Sequence, residues 1–169
     1  MLLGAILAVA LGGCSTAGST AGSTAGSTAG PTQSTVVPSA IGGLRGDAAD
    51  AWSTWQASSA VDYHYSLSIS CFCPRVAGAA VTVVNGDVVS TAATPDEQRQ
   101  ISSVLGGPPT VEALFQTIAD AQKVADQVQL TFDPDTGVPT YVGIDYSSNG
   151  SDDEVYISTS EYGTGNWSS

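Results

Sequence analysis

The chain of 169 residues carries sixteen Asp and Glu against four Lys and Arg, a net charge of −12, and all of these charges lie between Arg45 and Glu161. So acidic a segment has no basic stripe to neutralise phosphates, which excludes nucleic acid as a partner, and it lacks the Lys and Arg that dock proteins on anionic lipid. Its length suffices for one hydrophobic core and not for two.

The first element is an apolar run, Leu2 to Leu11, that feeds into Gly12, Gly13 and Cys14. About ten residues are too few to span ~30 Å of hydrocarbon as a helix, so the run reads as the apolar part of a secretion signal. The spacing predicts a lipoprotein signal peptide over residues 1–13, with the Cys14 thiol accepting a diacylglyceryl group and the mature chain starting there. No Lys or Arg precedes Arg45, so the basic front of that signal rests on the terminal amine alone. Two acyl chains hold a protein stably on a membrane where one does not.

Residues 14–43 are predicted to be a tether. Four copies of Ser-Thr-Ala-Gly run from Ser15 to Gly30, and a Ser/Thr-rich stretch with Pro31 and Pro38 follows. No large apolar residue recurs there, so the repeat cannot bury a core, and such a coil reaches roughly 30 Å. The same composition suits a bare spacer or an O-glycosylated one.

A single acidic domain is expected over 44–163, with a frayed tail over 164–169. Asp47 caps a helix from about Asp47 to Ser59 that puts Ala48, Trp52, Trp55 and Ser59 on one face. The two tryptophans read as core anchors in preference to a sugar-binding platform. From Tyr63 to Cys71 residues alternate strictly, with Tyr63, Tyr65, Leu67, Ile69 and Cys71 on one side and His64, Ser66, Ser68 and Ser70 on the other. That pattern predicts a strand with one wet face. Ala79 to Val84 meets Val88 and Val89 across Asn85-Gly86-Asp87, a hairpin signal because a type I′ turn needs positive φ at both central residues.

Thr94-Pro95-Asp96-Glu97 is a capping box that opens a short helix toward Val104, and Gly106-Gly107-Pro108-Pro109 stops it. Thr110 then caps a helix from Val111 to about Lys123, with Val111, Leu114, Phe115, Ile118 and Ala121 in one stripe. Strands follow at Val128 to Phe132 and Pro139 to Tyr146, joined by a turn over Asp133-Pro134-Asp135-Thr136-Gly137, and a last strand runs from Glu154 to Ser160. The fold class is α+β: an antiparallel sheet of about six strands with two main helices on one face, in the order α-β-β-β-α-β-β-β. The order suggests a loose two-fold repeat, with His64 and the serines on a solvated face.

Cys71 and Cys73 carry the most distinctive chemistry. An oxidising compartment makes a local disulfide the default, and closing it needs the chain to turn before Pro74. A metal site of Cys71, Cys73 and His64 needs the strand to bend, because His64 has the opposite parity. Asp133-x-Asp135-x-Gly137 hints at a Ca²⁺ loop, yet its glycine and the expected Glu are out of place, so a turn is the better reading. Asp145, Asp152, Asp153 and Glu154 form a second acidic cluster, read as a solvated loop that leaves weak Ca²⁺ binding open. Hydrolase chemistry lacks support, since His64 is the single histidine and no Gly-x-Ser-x-Gly surrounds a serine.

Three pieces together carry a resemblance. They are Trp55-Gln56 before Tyr63 and Tyr65, Cys71-Phe72-Cys73-Pro74, and Thr110-Val111-Glu112-x-Leu114-Phe115 followed by Asp133-Pro134-x-x-Gly137-x-Pro139-Thr140 and Ile144-Asp145. Over about Trp52 to Ile157 the chain resembles a family of small actinobacterial lipoproteins known as a domain of unknown function, although that family often has an aromatic where Val138 stands. The resemblance implies a cell-envelope lipoprotein and no activity. The expected protein is therefore lipid-anchored through Cys14 and extracytoplasmic, without a cofactor. It is a non-enzymatic module that binds an envelope component or a protein, and the rival reading is a metal or redox module using Cys71 and Cys73. Its acidity serves solubility or, alternatively, attracts a cationic partner or Ca²⁺.

Overall fold

The structure is a computed structural model that describes residues 41–150 and 152–165. The expected signal peptide and nearly all of the expected tether, Cys14 included, lie outside the described residues. Ile41 and Leu44 already pack against the core, so the body takes in the end of the stretch assigned to the tether.

Nine elements follow in the order α-β-β-β-α-α-β-β-β: α1 (Asp47–Ser58), β1 (Tyr63–Cys71), β2 (Val76–Val84), β3 (Asp87–Ala92), α2 (Pro95–Leu105), α3 (Val111–Val124), β4 (Gln127–Phe132), β5 (Pro139–Asp145) and β6 (Glu154–Thr164). The α+β class holds, with the short helix at the capping box added as α2. Thr94 accepts from the amide of Glu97 while the Glu97 carboxylate accepts from the amide of Thr94, so both exposed donors at this helix start are satisfied. α1 departs from expectation: Gly46, at a positive φ of 58°, holds the cap position without a side-chain bond, and Asp47 is the first helical residue.

The six strands form one antiparallel sheet in the order β3-β2-β1-β6-β5-β4. A repeat of two equivalent halves would set β4 beside β1. Instead the second meander runs inward from the far edge, because α2 and α3 carry the chain from edge strand β3 to edge strand β4. The two-fold repeat is thus not present in the topology. The β2–β3 turn is as expected, with φ of 53° at Asn85 and 82° at Gly86.

The tail is shorter than anticipated. β6 continues through Gly163 and Thr164, which pair with His64 and Tyr63, and the amide of Gly165 donates to the carbonyl of Asp62. At Gly163 the His64 ring lies over the backbone, and a β-carbon there would stand 2.6 Å from its Nε2, so a larger residue would have to push the ring aside.

One core lies between the sheet and the helices. Trp52 and Trp55 of α1 are buried, Trp52 edge-on to Phe115 at 5.0 Å and Trp55 edge-on to Tyr63 at 5.2 Å between ring centroids. Burying rings of this size supplies much of the driving force for docking α1. Among the described residues, no helix is long and apolar enough to cross a membrane.

Candidate functional site

β1 stops at Cys71 and the chain bends through Phe72, which brings Cys73 back to form a disulfide with Cys71, Cα atoms 5.0 Å apart. Cys71 packs against the core, and the Gln100 amide donates to its Sγ at 3.6 Å. Phe72 at the tip is exposed. The pair sits at a strand end, without the helix N-terminus that lowers the pKa of a redox thiol.

Of the acidic residues singled out from the sequence, Asp133 is engaged in its own turn. Oδ1 of Asp133 accepts from the amides of Asp135 and Thr136 and from the Thr136 hydroxyl. These bonds, the Thr136 hydroxyl foremost, hold its carboxyl below the usual carboxylate range. The segment is a turn, closed by the Gly137 amide donating to the Asp133 carbonyl. Asp133, Asp135, Asp152 and Asp153 belong to no group of three or more His, Cys, Asp or Glu placed to hold a metal ion among the described residues.

Glu112, which the sequence showed only as an acidic residue in a first helical turn, is the centre of a polar joint inside the fold. Its carboxylate accepts from the Trp55 indole at 3.1 Å and from the Tyr63 hydroxyl at 3.2 Å, while the Val111 amide donates to that same hydroxyl. Beside it the Tyr65 hydroxyl donates to the carbonyl of Pro109 at 2.7 Å. Burial first, and then the Glu112 charge, push the Tyr63 and Tyr65 phenols far above their ordinary value, and Tyr162 up to about 12. Tyr63 and Tyr65 thus remain protonated donors. The arrangement ties α1, α3 and β1 together and offers no nucleophile.

The exposed chemistry lies on the sheet face that no helix covers. Reading across the strands, Ser70, Tyr156, Gly143 and Gln129 form one row, and Ser68, Ser158, Tyr141 and Thr131 the next. Glu154, Asp145 and Gln127 close one end. Toward the other edge stand Ser160, Ser66, Ala80 and Ala92. The rings of Tyr141 and Tyr156 stack 6.5 Å apart, and Tyr141 lies across Gly143, where a β-carbon would stand 2.9 Å from its hydroxyl. His64 and the serines are on this face as expected. The tyrosines were missed, although Tyr141, Gly143 and Asp145 alternate with buried Val142 and Ile144, a parity that marks the open side.

The larger groove, about 330 Å³, lies off this face, between edge strand β3 and α2, and is lined by Val88, Val89, Ile101, Pro108 and Pro109 among others. A bulge at Val88 and Val89 interrupts the β3 register there. Bulges on edge strands turn the free backbone groups away from added strands, so this groove reads as a protected edge.

A family model described as "Family of unknown function (DUF6174)" matches residues 47–163. No curated protein and no solved structure matches the chain.

Proposed function

The chain belongs to this family of unknown function, and with no activity to inherit we propose that it is a non-enzymatic binding module of the cell envelope, of the actinobacterial lipoprotein type. Cys14 carries the lipid, the Ser-Thr-Ala-Gly tether sets the domain off from the membrane, and the open sheet face meets the partner. The observation that carries this reading is the division of the sheet. One face is buried under three helices, while the other presents a row of serines with a tyrosine pair on β5 and β6. Small side chains keep such a face flat, and exposed tyrosines are the aromatic anchors that interfaces favour.

The rival metal or redox role of Cys71 and Cys73 draws less support. The two thiols are spent on each other at a strand end, and His64 lies near the other end of β1, opposite Gly163.

A photocrosslinking residue placed at Ser158, in the middle of the open face, tests the proposal in the full chain in its native envelope. The control carries the same residue at exposed Gln116 on α3. A discrete adduct from Ser158 and none from Gln116 is expected. Absence of an adduct at Ser158, or equal adducts from both, would overturn the reading. Fractionation of a Cys14→Ala chain tests the anchor, with release from the membrane expected and full retention contradicting it.

A further inference from the structure

We propose that the partner met by the open face is a cationic polypeptide, whose Lys or Arg side chains dock at the corner formed by Asp145, Glu154 and Tyr156. This rests on the open-face reading and names the chemistry that the face selects. Charge complementarity carries it. The six strands contain four carboxylates, at Asp87, Asp145, Glu154 and Glu161, and not one Lys or Arg.

The four Lys and Arg of the chain lie off the strands, Arg75 in the loop that follows Cys71, whose strand partner Val155 neighbours Glu154. Arg99 pairs with Asp96 on α2 and Lys123 with Asp120 on α3, and Arg45 donates to the Gln122 carbonyl at the end of α3. No Lys or Arg on the strands offsets the sheet carboxylates, and the one histidine there, His64, lies near the far end of β1, opposite Gly163.

Within the face, Asp145 and Glu154 stand directly opposite each other on neighbouring strands. Like charges in that register repel and cost stability, a cost that an arriving cation removes. They border a depression of about 80 Å³ that Gln127, Gln129, Gly143 and Tyr156 also line. Tyr156 is 44% exposed as a residue, and an ammonium or guanidinium can lie against the side of its ring away from Tyr141 while the carboxylates take its donors. A hollow this small admits a side-chain head group and not a whole ligand, which is why the occupant is assigned to a cationic side chain on a larger partner.

The test titrates the full chain with hexa-arginine and with hexa-glutamine, and repeats the titration on three variants. The Asp145→Asn/Glu154→Gln pair is expected to weaken hexa-arginine binding about tenfold, whereas Asp47→Asn/Asp50→Asn, the same charge change at the start of α1, alters it less than about twofold. Tyr156→Ala should weaken it and Tyr156→Phe should not, a contrast that bulk acidity cannot produce. Equal weakening by the two Asn/Gln pairs overturns the proposal, as does equal binding of hexa-glutamine. Displacement of the peptide by millimolar calcium at constant ionic strength also overturns it, by making the corner a divalent-cation site. If the Ser158 adduct persists in Asp145→Asn/Glu154→Gln, the cationic assignment fails while the open-face reading stands. Loss of the adduct in the parent chain removes both.

Discussion

Gly137 is pressed against the backbone of α1: a β-carbon added to it would overlap the carbonyl oxygen of Ala51 and stand 2.8 Å from the amide nitrogen of Trp55. The turn between β4 and β5 is thereby seated on the helix that carries both buried tryptophans. Gly137 also has a φ of 74°, a conformation that side chains resist. Gly137→Ala is expected to cost about 2–5 kcal/mol of stability, the sum of a left-handed residue and an overpacked contact. Gly86→Ala is the control, with φ of 82° and open space around it, and should cost only about 1 kcal/mol. Urea unfolding of the two variants measures the difference, and equal costs would show that the contact with α1 is unimportant.

The joint at Glu112 gives a second expectation. Glu112→Gln replaces a two-oxygen acceptor with a group that can accept at one atom only, which leaves either the Trp55 indole or the Tyr63 hydroxyl facing a donor. A buried donor without an acceptor costs about 1–3 kcal/mol, to be read from the shift in the denaturation midpoint. An unchanged midpoint would mean that water replaces the carboxylate.

Alkaline pH should unfold the domain through its tyrosines. Tyr63, Tyr65 and Tyr162 have folded-state values raised above the ordinary phenol value of 10.0, by burial first and then by the Glu112 charge. The unfolded chain releases these protons near that value and the folded chain does not. Their contribution is therefore complete below about pH 10 and falls as pH rises beyond it, through about 12 for Tyr162. Stability measured from pH 8 upward should be flat and then decline, and Tyr63→Phe should make the decline shallower, even though it removes hydrogen bonds and lowers stability throughout. A decline of the same slope in Tyr63→Phe contradicts the assignment.

For the disulfide, alkylation and intact mass should add no label to the native chain at Cys71 and Cys73 and two labels after reduction. A bridge that closes so short a loop removes little entropy from the unfolded chain, so Cys71→Ser/Cys73→Ser should cost on the order of 1–2 kcal/mol and leave the domain folded. Labelling of both thiols in the native chain would return the metal reading to consideration.

What could be read from the chain, and what could not, divides by the range of the interaction. The alternation of Tyr63 to Cys71, the Asn85-Gly86 turn, the Thr94 capping box and the Val111 stripe are legible because each signal lies within a few residues and reflects local geometry. The placement of β6 beside β1 is not. It depends on which strands reach the centre after the helices cross the sheet, and both orders bury the same apolar faces. Glu112 was opaque for the same reason, since its partners Trp55 and Tyr63 are 57 and 49 residues away. Gly163 fell outside the last strand expected from the sequence because glycine weakens a strand in isolation. Here it continues β6 opposite His64, whose ring lies over it. The tyrosine pair went unnoticed because each ring belongs to a different strand, and only the register joins them.

The central claim is that the open sheet face is occupied when the protein is at work, and hydroxyl-radical footprinting tests it most directly. Tyr156 on the open face and Phe72 at the tip of the disulfide-closed bend are both exposed aromatic rings, 44% and 83% by relative area, so both should be labelled in the purified chain. In the intact envelope, labelling of Tyr156 should fall severalfold while Phe72 keeps its level. Equal labelling of Tyr156 in the envelope and in isolation would contradict the account.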